Sequence, residues 1–157
     1  MLDARIKEKV ENGGIMDNSS GQRVKASDNL AELKARAKEE PIASFLKMEL
    51  LELSSGYAKV AMKLIPEYQN FLGLIFGGIV VAVADQAFAY ATNSVAYPAI
   101  ASQFNTHFVA AAKIGDELIA ECRVVKISRR VGIAELTVTN QEGKLIAKAT
   151  GTAIPVG

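Results

Sequence analysis

Residues 70–90 of the chain read NFLGLIFGGIVVAVADQAFAY. A loop with one amide side chain and two adjacent glycines leads into an almost wholly apolar helix, which carries a single acid, Asp85. Burying an unpaired carboxylate costs several kcal/mol or forces it to take up a proton. Asp85 is therefore expected either to be satisfied by partners or to be used in a reaction. The helix is predicted to run from Gly77 to about Ser94 and to end before Pro98.

Length and charge exclude several classes of partner. The chain has 157 residues, of which 50% are apolar, and a formal net charge of +1. This length predicts one domain that buries about two-thirds of the surface of its unfolded chain. Nucleic acid held by bulk electrostatics needs a clustered basic excess, which the sequence lacks. Residues 72–84 supply only thirteen apolar or glycine residues before Asp85 interrupts them, short of the roughly 20 that span a bilayer. Neither nucleic acid nor a membrane is expected as a partner.

Cysteine usage and the N-terminus favour a cytoplasmic protein. Cys122 is the only cysteine, so no disulfide forms within the chain and a reducing compartment is the simplest expectation. Its neighbours at alternate strand positions, Ala120 and Val124, predict a buried thiol that packs as a small apolar group. The first residues, MLDARIKEKVENGG, lack the apolar run and the small-residue cleavage site of a secretory signal.

The order of the predicted elements indicates an α+β fold. Residues 1–40 are expected to form a leader, with a mobile start and a short helix that Ser27 or Asp28 caps and Pro41 ends. Residues 41–157 are expected to form the domain. Alternation and turn signals predict strands over residues 45–53, 57–64, 100–108, 117–127, 131–140 and 144–154. Two strands, one long helix and four strands joined by short turns give an antiparallel sheet of five to six strands with one central helix packed on it.

One face of the predicted helix joins the glycines to the acid. The residues on or near this face, at three- and four-residue spacing, are Gly78, Val81, Asp85, Phe88, Ala89 and Thr92. At the helix start, the first backbone N–H groups have no partner within the helix, and a glycine leaves them open to a carbonyl oxygen or an anion. Such donors can form an oxyanion hole.

The spacing between these two features limits how they can work together. Gly77 and Asp85 are eight residues apart, which is roughly 12 Å along a helix. A base or nucleophile and an oxyanion donor must both lie within about 3 Å of one reacting group. One helix cannot meet this requirement, whereas two antiparallel helices from two subunits can. A catalytic site here therefore predicts a twofold homodimer with two sites at its interface.

The chain contains the pattern N-x-x-G-x-x-x-G-G followed by A-D-x-A-F-A-Y-A, which starts at Asn70 and includes Gly77, Gly78 and Asp85. In this pattern the chain resembles the hotdog-fold acyl-CoA thioesterases, specifically their phenylacetate-pathway branch. The likeness covers residues 45–154 and leaves residues 1–40 outside it. It implies a curved sheet wrapped around the central helix, and hydrolysis of an aromatic or medium-chain acyl-CoA to the free acid and CoA. Coenzyme A is then part of the substrate, and no cofactor is implied. A dimer of dimers is also expected.

The resemblance implies roles for individual residues. Asp85 would be the general base or nucleophile, and the N–H of Gly77, with that of Gly78, would polarise the thioester carbonyl. Asn70 would orient the attacking water or the substrate from the other subunit. An apolar tunnel would hold the acyl group, and a turn with two guanidinium groups would suit the CoA phosphates, although a plain solvated turn is the alternative. The substrate-binding set is Phe71, Leu72, Phe76, Val81, Phe88 and Ala89 for the acyl group, and Ser128, Arg129 and Arg130 for the phosphates.

One position departs from the family pattern. Members usually carry a histidine directly before the two glycines, where this chain has Phe76, which supplies neither a proton nor a hydrogen bond. A non-catalytic acyl-CoA-binding or regulatory hotdog domain is therefore the alternative function. A hotdog hydratase is a third option, but it needs an Asp and a His together on this loop and helix, and the chain has no such pair. The only histidine, His107, is predicted on the face of its strand opposite to the helix-facing Phe104, Thr106 and Phe108. Without a second His or Cys cluster, no metal site is expected.

Overall fold

Six antiparallel strands form one curved sheet around a long central helix in the computed structural model, which describes residues 26–156. The helices are α1 (Ala26–Lys38), α2 (Pro41–Phe45) and α3 (Gly77–Asn93), and a 3₁₀ turn covers Pro66–Tyr68. The strands are β1 (Met48–Ser54), β2 (Tyr57–Lys63), β3 (Ala99–Phe108), β4 (Glu117–Ile127), β5 (Gly132–Thr139) and β6 (Leu145–Pro155). The predicted α+β architecture is confirmed. The predicted mobile start of the leader lies outside the described residues.

The strands lie in the order β1-β2-β4-β5-β6-β3. Strand β3 does not lie beside β4, which follows it in sequence, but at the far edge of the sheet, where it pairs with β6 from Ala99↔Pro155 to Phe108↔Ala147. The other edge of β3 pairs with no described strand. Helix α3 packs on the inner face of the sheet, against β2 and β4 above all. The described residues therefore leave one side of α3 and one edge of β3 uncovered.

The core lies between the inner face of the sheet and the inner side of α3. Alternation buries one side of the strands as predicted, namely Ala58, Val60 and Met62 in β2 and Ala134, Leu136 and Val138 in β5. Phe88 of α3 is 1% exposed, and its ring packs edge-on against Phe104 with 5.7 Å between the centroids. Cys122 is also fully buried, as predicted, and desolvation raises the pKa of its thiol to about 12.

The prediction of a strand over residues 45–53 is wrong at its start. Strand β1 begins only at Met48, because Pro41 opens the short helix α2 and Phe45 ends it. Proline suits the first turn of a helix, where its missing N–H would have no partner. Lys47 then takes a φ of +54°, at the turn from α2 into β1. Phe45 is 78% exposed and lies outside the sheet.

Candidate active site

The first turn of α3 leaves two backbone donors open. Phe76 is the N-cap residue, and its side chain makes no capping hydrogen bond. Its carbonyl accepts the N–H of Ile79 at 2.9 Å, but the N–H groups of Gly77 and Gly78 have no acceptor among the described residues. Both donors lie at the positive end of the helix dipole. They are available to a carbonyl oxygen or an anion.

Aromatic side chains lie close to both of these glycines. A Cβ at Gly77 would lie 3.1 Å from Cζ of Phe108 on β3, and a Cβ at Gly78 would collide with the ring of Phe76. Two aromatic rings therefore lie against the first turn of α3. The rings of Phe76 and Phe108 are themselves more than half exposed, so the apolar surface beside the open donors is not covered by the described residues.

Asp85 lies about two turns further along α3, on the side that faces away from the sheet. This accessible stripe of the helix consists of Gly78, Val81, Ala82, Asp85 and Ala89. The Asp85 carboxyl makes no hydrogen bond or ion pair with any described residue. Although the carboxyl is accessible in the single chain, surrounding protein atoms displace part of its hydration and raise its pKa above the ordinary value. An unpartnered, partly desolvated carboxylate has the properties of a general base.

Asn70 holds the loop before α3 in shape. Its Oδ1 accepts the N–H groups of Leu72 at 2.9 Å and Leu74 at 3.2 Å. Its backbone N–H donates to the Leu74 carbonyl at 2.7 Å, and its carbonyl accepts the N–H of Gly73 at 3.0 Å. Because the amide oxygen is occupied, only the Nδ2 hydrogens of Asn70 remain for a ligand. The side chain can donate a hydrogen bond to a substrate oxygen, but this loop conformation leaves it poorly suited to accept one from water.

A groove of about 360 Å³ connects this loop to the open end of α3. Its lining includes Asn70, Leu74, Gly77, Val80, Phe108 and residues 109–112. Apart from Asn70 and the backbone, the side chains of the lining are apolar. The groove thus places an amide donor and a free N–H group beside an apolar wall, an arrangement that suits a carbonyl group attached to a hydrocarbon.

The residues predicted to hold an acyl group do not enclose one tunnel in the single chain. Phe71 is 95% exposed and Leu72 is 65% exposed. Val81 and Ala89 are half-buried on the accessible stripe, whereas the ring of Phe88 belongs to the core. Enclosing the exposed members of this set requires a second surface laid over the stripe.

The turn between β4 and β5 carries the predicted arginine pair. The Oγ of Ser128 donates to the Val131 carbonyl at 2.9 Å and accepts the N–H groups of Arg130 and Val131 at 3.3 and 3.1 Å. Arg129 and Arg130 are exposed, and neither pairs with a described carboxylate. The guanidinium groups are therefore open to an anionic ligand. His107 is exposed and lines a concavity on the outer face of the sheet, away from α3 as predicted.

A polar cluster beside α3 was missed by sequence analysis. Glu40, which precedes α2, accepts hydrogen bonds from Nε2 of Gln86 at 2.7 Å and from Oη of Tyr90 at 2.5 Å. Both donors belong to residues that are only 7% exposed. The four-residue spacing of Gln86 and Tyr90 was a signal for a shared polar partner, but nothing in the sequence identifies an acid 46 residues away. The cluster fixes the segment between α1 and α2 to the central helix.

Fold and site together define a class of protein. Among residues 26–156, no group of three or more His, Cys, Asp or Glu side chains is placed to hold a metal ion. Within the same range, every helix is too short or too polar to span a bilayer. What the described residues do offer is a sheet wrapped around a helix with free N–H donors at its start and an unpartnered carboxylate two turns later. These features define a hotdog domain equipped for chemistry at a carbonyl group.

Sequence comparison gives the family. Residues 72–147, which include α3 and strands β3 to β5, match the model of the Thioesterase superfamily. An Archaeoglobus fulgidus protein provisionally named an esterase is 35% identical over 119 residues, which are 76% of this chain and 77% of that protein. Acyl-coenzyme A thioesterase PaaI of Escherichia coli is 30% identical over 115 residues, 73% of this chain and 82% of its own length.

Solved structures agree with the sequence matches. The E. coli PaaI protein, from the phenylacetic acid degradation operon, is similar with a TM-score of 0.79 at 27% identity, over 85% of this chain and 97% of that one. A Streptococcus mutans protein solved with bound acetyl-CoA has a TM-score of 0.67 at 26% identity, over 70% of this chain and 89% of its own. The chain belongs to the thioesterase superfamily and is a hotdog-fold, PaaI-like thioester hydrolase.

Proposed function

We propose that the protein hydrolyses the thioester of an aromatic or medium-chain acyl-CoA, and that it works as a homodimer with two sites across the interface. The observation that carries this proposal is the separation of two half-sites on one helix. The donors of Gly77 and Gly78 lack acceptors, and the carboxyl of Asp85 lacks a partner. Since roughly 12 Å along α3 separates them, each half-site needs its complement from another chain.

A second α3 packed antiparallel against the first would supply the missing half of each site. The accessible stripe of α3 carries mostly small side chains, so two helices can approach closely there. Beside Gly77 and Gly78 lie the exposed rings of Phe108 and Phe76, and the exposed ring of Phe71 and the unpaired edge of β3 add further surface that the described residues do not cover. Burying these rings against a second subunit removes apolar surface from water, which favours association. The same contact would further desolvate Asp85 and so raise its pKa further.

In the proposed reaction, the thioester carbonyl oxygen accepts hydrogen bonds from the Gly77 and Gly78 N–H groups of one subunit. The Asp85 carboxylate of the other subunit takes a proton from water, and the water oxygen adds to the carbonyl carbon. The glycine donors stabilise the resulting oxyanion. When it collapses, the carbon–sulfur bond breaks and the CoA thiolate leaves, taking the proton from Asp85. The products are the free carboxylic acid and CoA.

Asn70 and Phe76 would complete the site on the glycine side. With its Oδ1 occupied within the loop, Asn70 would act as a donor to the substrate carbonyl through Nδ2. Phe76 supplies no polar group, so polarisation of the carbonyl rests on the backbone donors and Asn70. Its ring, which already packs on Gly78, would contact the hydrocarbon next to the thioester.

The acyl group and the CoA moiety would lie on opposite sides of the reacting carbon. Phe71, Leu72, Val81 and Ala89 would contact the acyl group once a second subunit covers the stripe, and Phe88 would support them from the core. The turn with Ser128, Arg129 and Arg130 would bind the CoA phosphates, for which guanidinium groups are well shaped. The bound acetyl-CoA of the S. mutans relative and the operon of E. coli PaaI support an acyl-CoA substrate.

Thiol release from phenylacetyl-CoA and hexanoyl-CoA tests the assignment of Asp85. A general base contributes about 10²- to 10⁴-fold to the rate, so Asp85→Asn should lower kcat by about that factor while the far-UV spectrum stays native. Glu135→Gln, which changes an exposed acid of β5 on the outer face, is the matched control and should keep wild-type activity. Equal rates for wild type and Asp85→Asn would refute the role of Asp85.

Mixing two inactive variants tests whether the site is shared. Gly77→Pro removes one donor, and proline is compatible with the first turn of a helix and with the extended backbone of Phe76 before it. A heterodimer of Gly77→Pro and Asp85→Asn contains one site with both intact groups. Refolding the two variants together should therefore restore activity to about a quarter of wild type if chains pair at random. A mixture as inactive as its components would contradict a site formed across subunits.

A further inference from the structure

A second groove, of about 400 Å³, lies between α1 and the C-terminal half of α3. Its lining includes Leu33 and Ala37 from α1, Ala89, Tyr90 and Asn93 from α3, and Tyr97, and three charged side chains line it as well. None of the residues assigned above to the reacting groups lines it, and only Ala89 is shared with the accessible stripe. The groove is therefore separate from the reacting groups, and Ala89 connects it to the stripe that carries Asp85.

The groove begins one helical turn beyond Asp85. Ala89 follows Asp85 by four residues on the accessible stripe, a distance of about 6 Å along the axis, and its methyl side chain leaves the way along the helix open. Asn93 follows after another turn. In the proposed dimer, the glycine donors approach Asp85 from the partner subunit. A hydrocarbon attached to a carbonyl beside Asp85 can thus extend along the same α3 into this groove.

The polar side chains that α3 contributes to the groove already have partners. Tyr90 donates to Glu40, and Asn93 donates to the Ala89 and Ala99 carbonyls at 2.9 and 3.0 Å while accepting the Ala99 N–H at 2.9 Å. Along α3 a ligand therefore meets a ring face and methyl groups rather than open donors. An aryl or alkyl group fits such a lining, because burying a hydroxyl or charge without a partner is costly.

The charges around the groove act against an anionic ligand. Arg36 pairs with Glu32 at 2.6 Å and lies over the Tyr97 ring at 5.8 Å. Glu39 and Glu40 add two further carboxylates at the groove. Two of the three charged side chains that line the groove are therefore acidic, and the third, Arg36, is paired with Glu32, so a terminal carboxylate on the acyl group would be repelled.

We propose that this groove is the end pocket of the acyl site and that α1 limits the size of the acyl group that the enzyme accepts. This role rests on the function proposed above. Ala37 and Leu33 are the specificity-determining residues. The substrates are uncharged aryl or alkyl thioesters, and acyl groups that end in a carboxylate are rejected. Glu40 holds the wall in place by tying the end of α1 to Gln86 and Tyr90.

Filling the groove from α1 tests the proposal. Ala37→Phe places a ring in the groove, and Ala35→Phe makes the same change at an exposed position of α1. We expect Ala37→Phe to lower kcat/KM for phenylacetyl-CoA about tenfold or more and that for acetyl-CoA less than about twofold, since pocket contacts of this size discriminate by such factors. Ala35→Phe should leave both unchanged. A uniform loss with both substrates, or no loss with either, would overturn the proposal.

A smaller change at the groove and a charged substrate provide further checks. Leu33→Val enlarges the groove and should raise kcat/KM for a bulkier arylalkyl thioester relative to phenylacetyl-CoA. Wild type should hydrolyse adipoyl-CoA at least about tenfold less efficiently than hexanoyl-CoA, which has the same chain length without the second carboxylate. Equal efficiency for these two thioesters would contradict the rejection of anionic acyl groups.

A binding measurement separates failure of this proposal from failure of the proposed function. The probe is a CoA thioether with a 2-oxo-3-phenylpropyl group, which cannot be hydrolysed, and CoA itself is the reference in titration calorimetry. Wild type should bind the thioether more tightly than CoA, and Ala37→Phe should remove most of that gain while Ala35→Phe keeps it. If no acyl-CoA is hydrolysed but this pattern is found, the groove assignment stands and the proposed reaction fails. Equal affinity of wild type and Ala37→Phe for the thioether would overturn the assignment.

Discussion

The two sides of α3 have similar composition and opposite environments. The inner side, with Val83, Ala87 and Phe88, is fully packed against the sheet. The outer stripe, with Gly78, Ala82 and Asp85, has equally small or apolar neighbours but no described element covering it. Composition alone therefore does not distinguish a helix side that stabilises the fold from one that is free to bind a partner and a substrate.

The two sides of α3 differ in whether their polar groups have hydrogen-bond partners. Inner and lateral polar groups are satisfied, as shown by Gln86 and Tyr90 with Glu40. The outer stripe instead has an unpartnered Asp85 and two unpartnered N–H groups. We infer that changes on the inner side should act on the stability of each chain, and that changes on the outer side should act mainly on activity and on the pairing of chains.

Removing the central ring of the inner side should give the largest loss of stability. Phe88→Ala deletes a 1% exposed ring that packs on Phe104, and the free energy of unfolding should fall by about 3–5 kcal/mol. Val81→Ala, on the outer stripe, should cost about 1 kcal/mol or less. Urea denaturation of both variants measures the contrast. Similar losses would show that the two sides of α3 contribute equally to stability.

Removing Glu40 should have the next largest effect. Glu40→Ala leaves the donors of Gln86 and Tyr90 buried without an acceptor, and about 2–4 kcal/mol of unfolding free energy should be lost. The neighbouring Glu39→Ala, at an exposed position whose side chain makes no hydrogen bond with a described residue, should change stability by no more than about 0.5 kcal/mol. If both substitutions have the same small effect, the cluster is not important for attaching the N-terminal helices.

Two glycine-to-alanine substitutions give a matched test of the same contrast. A Cβ at Gly151 would lie 2.6 Å from the buried ring of Phe88, so Gly151→Ala should destabilise by about 1–3 kcal/mol. At Gly78 a Cβ would meet the ring of Phe76, which the described residues of the chain leave more than half exposed and which can turn aside, so Gly78→Ala should cost less than Gly151→Ala, about 1 kcal/mol or less. Thermal and urea unfolding measure both. A larger cost at Gly78 would mean that the Phe76 ring is held firmly in place.

The smallest expected effect is a pH-dependent gain in stability from Asp85→Asn. Because the folded-state pKa of Asp85 is raised, the protonated form is favoured in the fold. Its contribution to stability is present below the ordinary pKa of about 3.9 and is lost as the pH rises through the folded-state pKa. The Tm of Asp85→Asn should therefore exceed that of wild type at pH 7, and the difference should shrink towards pH 4. A lower Tm for the variant at pH 7 would show that the ionised carboxylate has a stabilising partner.

Much of the fold could be predicted because its signals are local. The apolar run after Gly77 and the alternation in β2 and β5 each reflect contacts within one element. The first strand was predicted to start too early because Pro41, which was expected only to follow the end of one helix, also opens the short helix α2. The position of β3 beside β6 was not predictable from order along the chain, since the turn lengths do not reveal which sheet edge a strand joins.

Some residues of the candidate site could likewise be predicted from the sequence, and others could not. The glycine donors and Asp85 could be identified because they lie on one predicted helix, where the distance between them follows from their spacing in the sequence. The occupied oxygen of Asn70 and the polar cluster at Glu40 could not, since each depends on how separate segments meet. The groove beneath α1 is also a product of tertiary packing, because Ala37 is only one of several small residues in its helix.

Chemical labelling of Cys122 can report transient opening of the folded protein. Disulfide reagents react with thiolates, and the only thiol of the chain is fully buried with its pKa raised to about 12. The native enzyme should thus add almost no background when released CoA is titrated with such a reagent at pH 8. Conversely, any slow labelling of Cys122 should follow transient exposure of β4, so its rate reports how often the sheet around α3 comes apart.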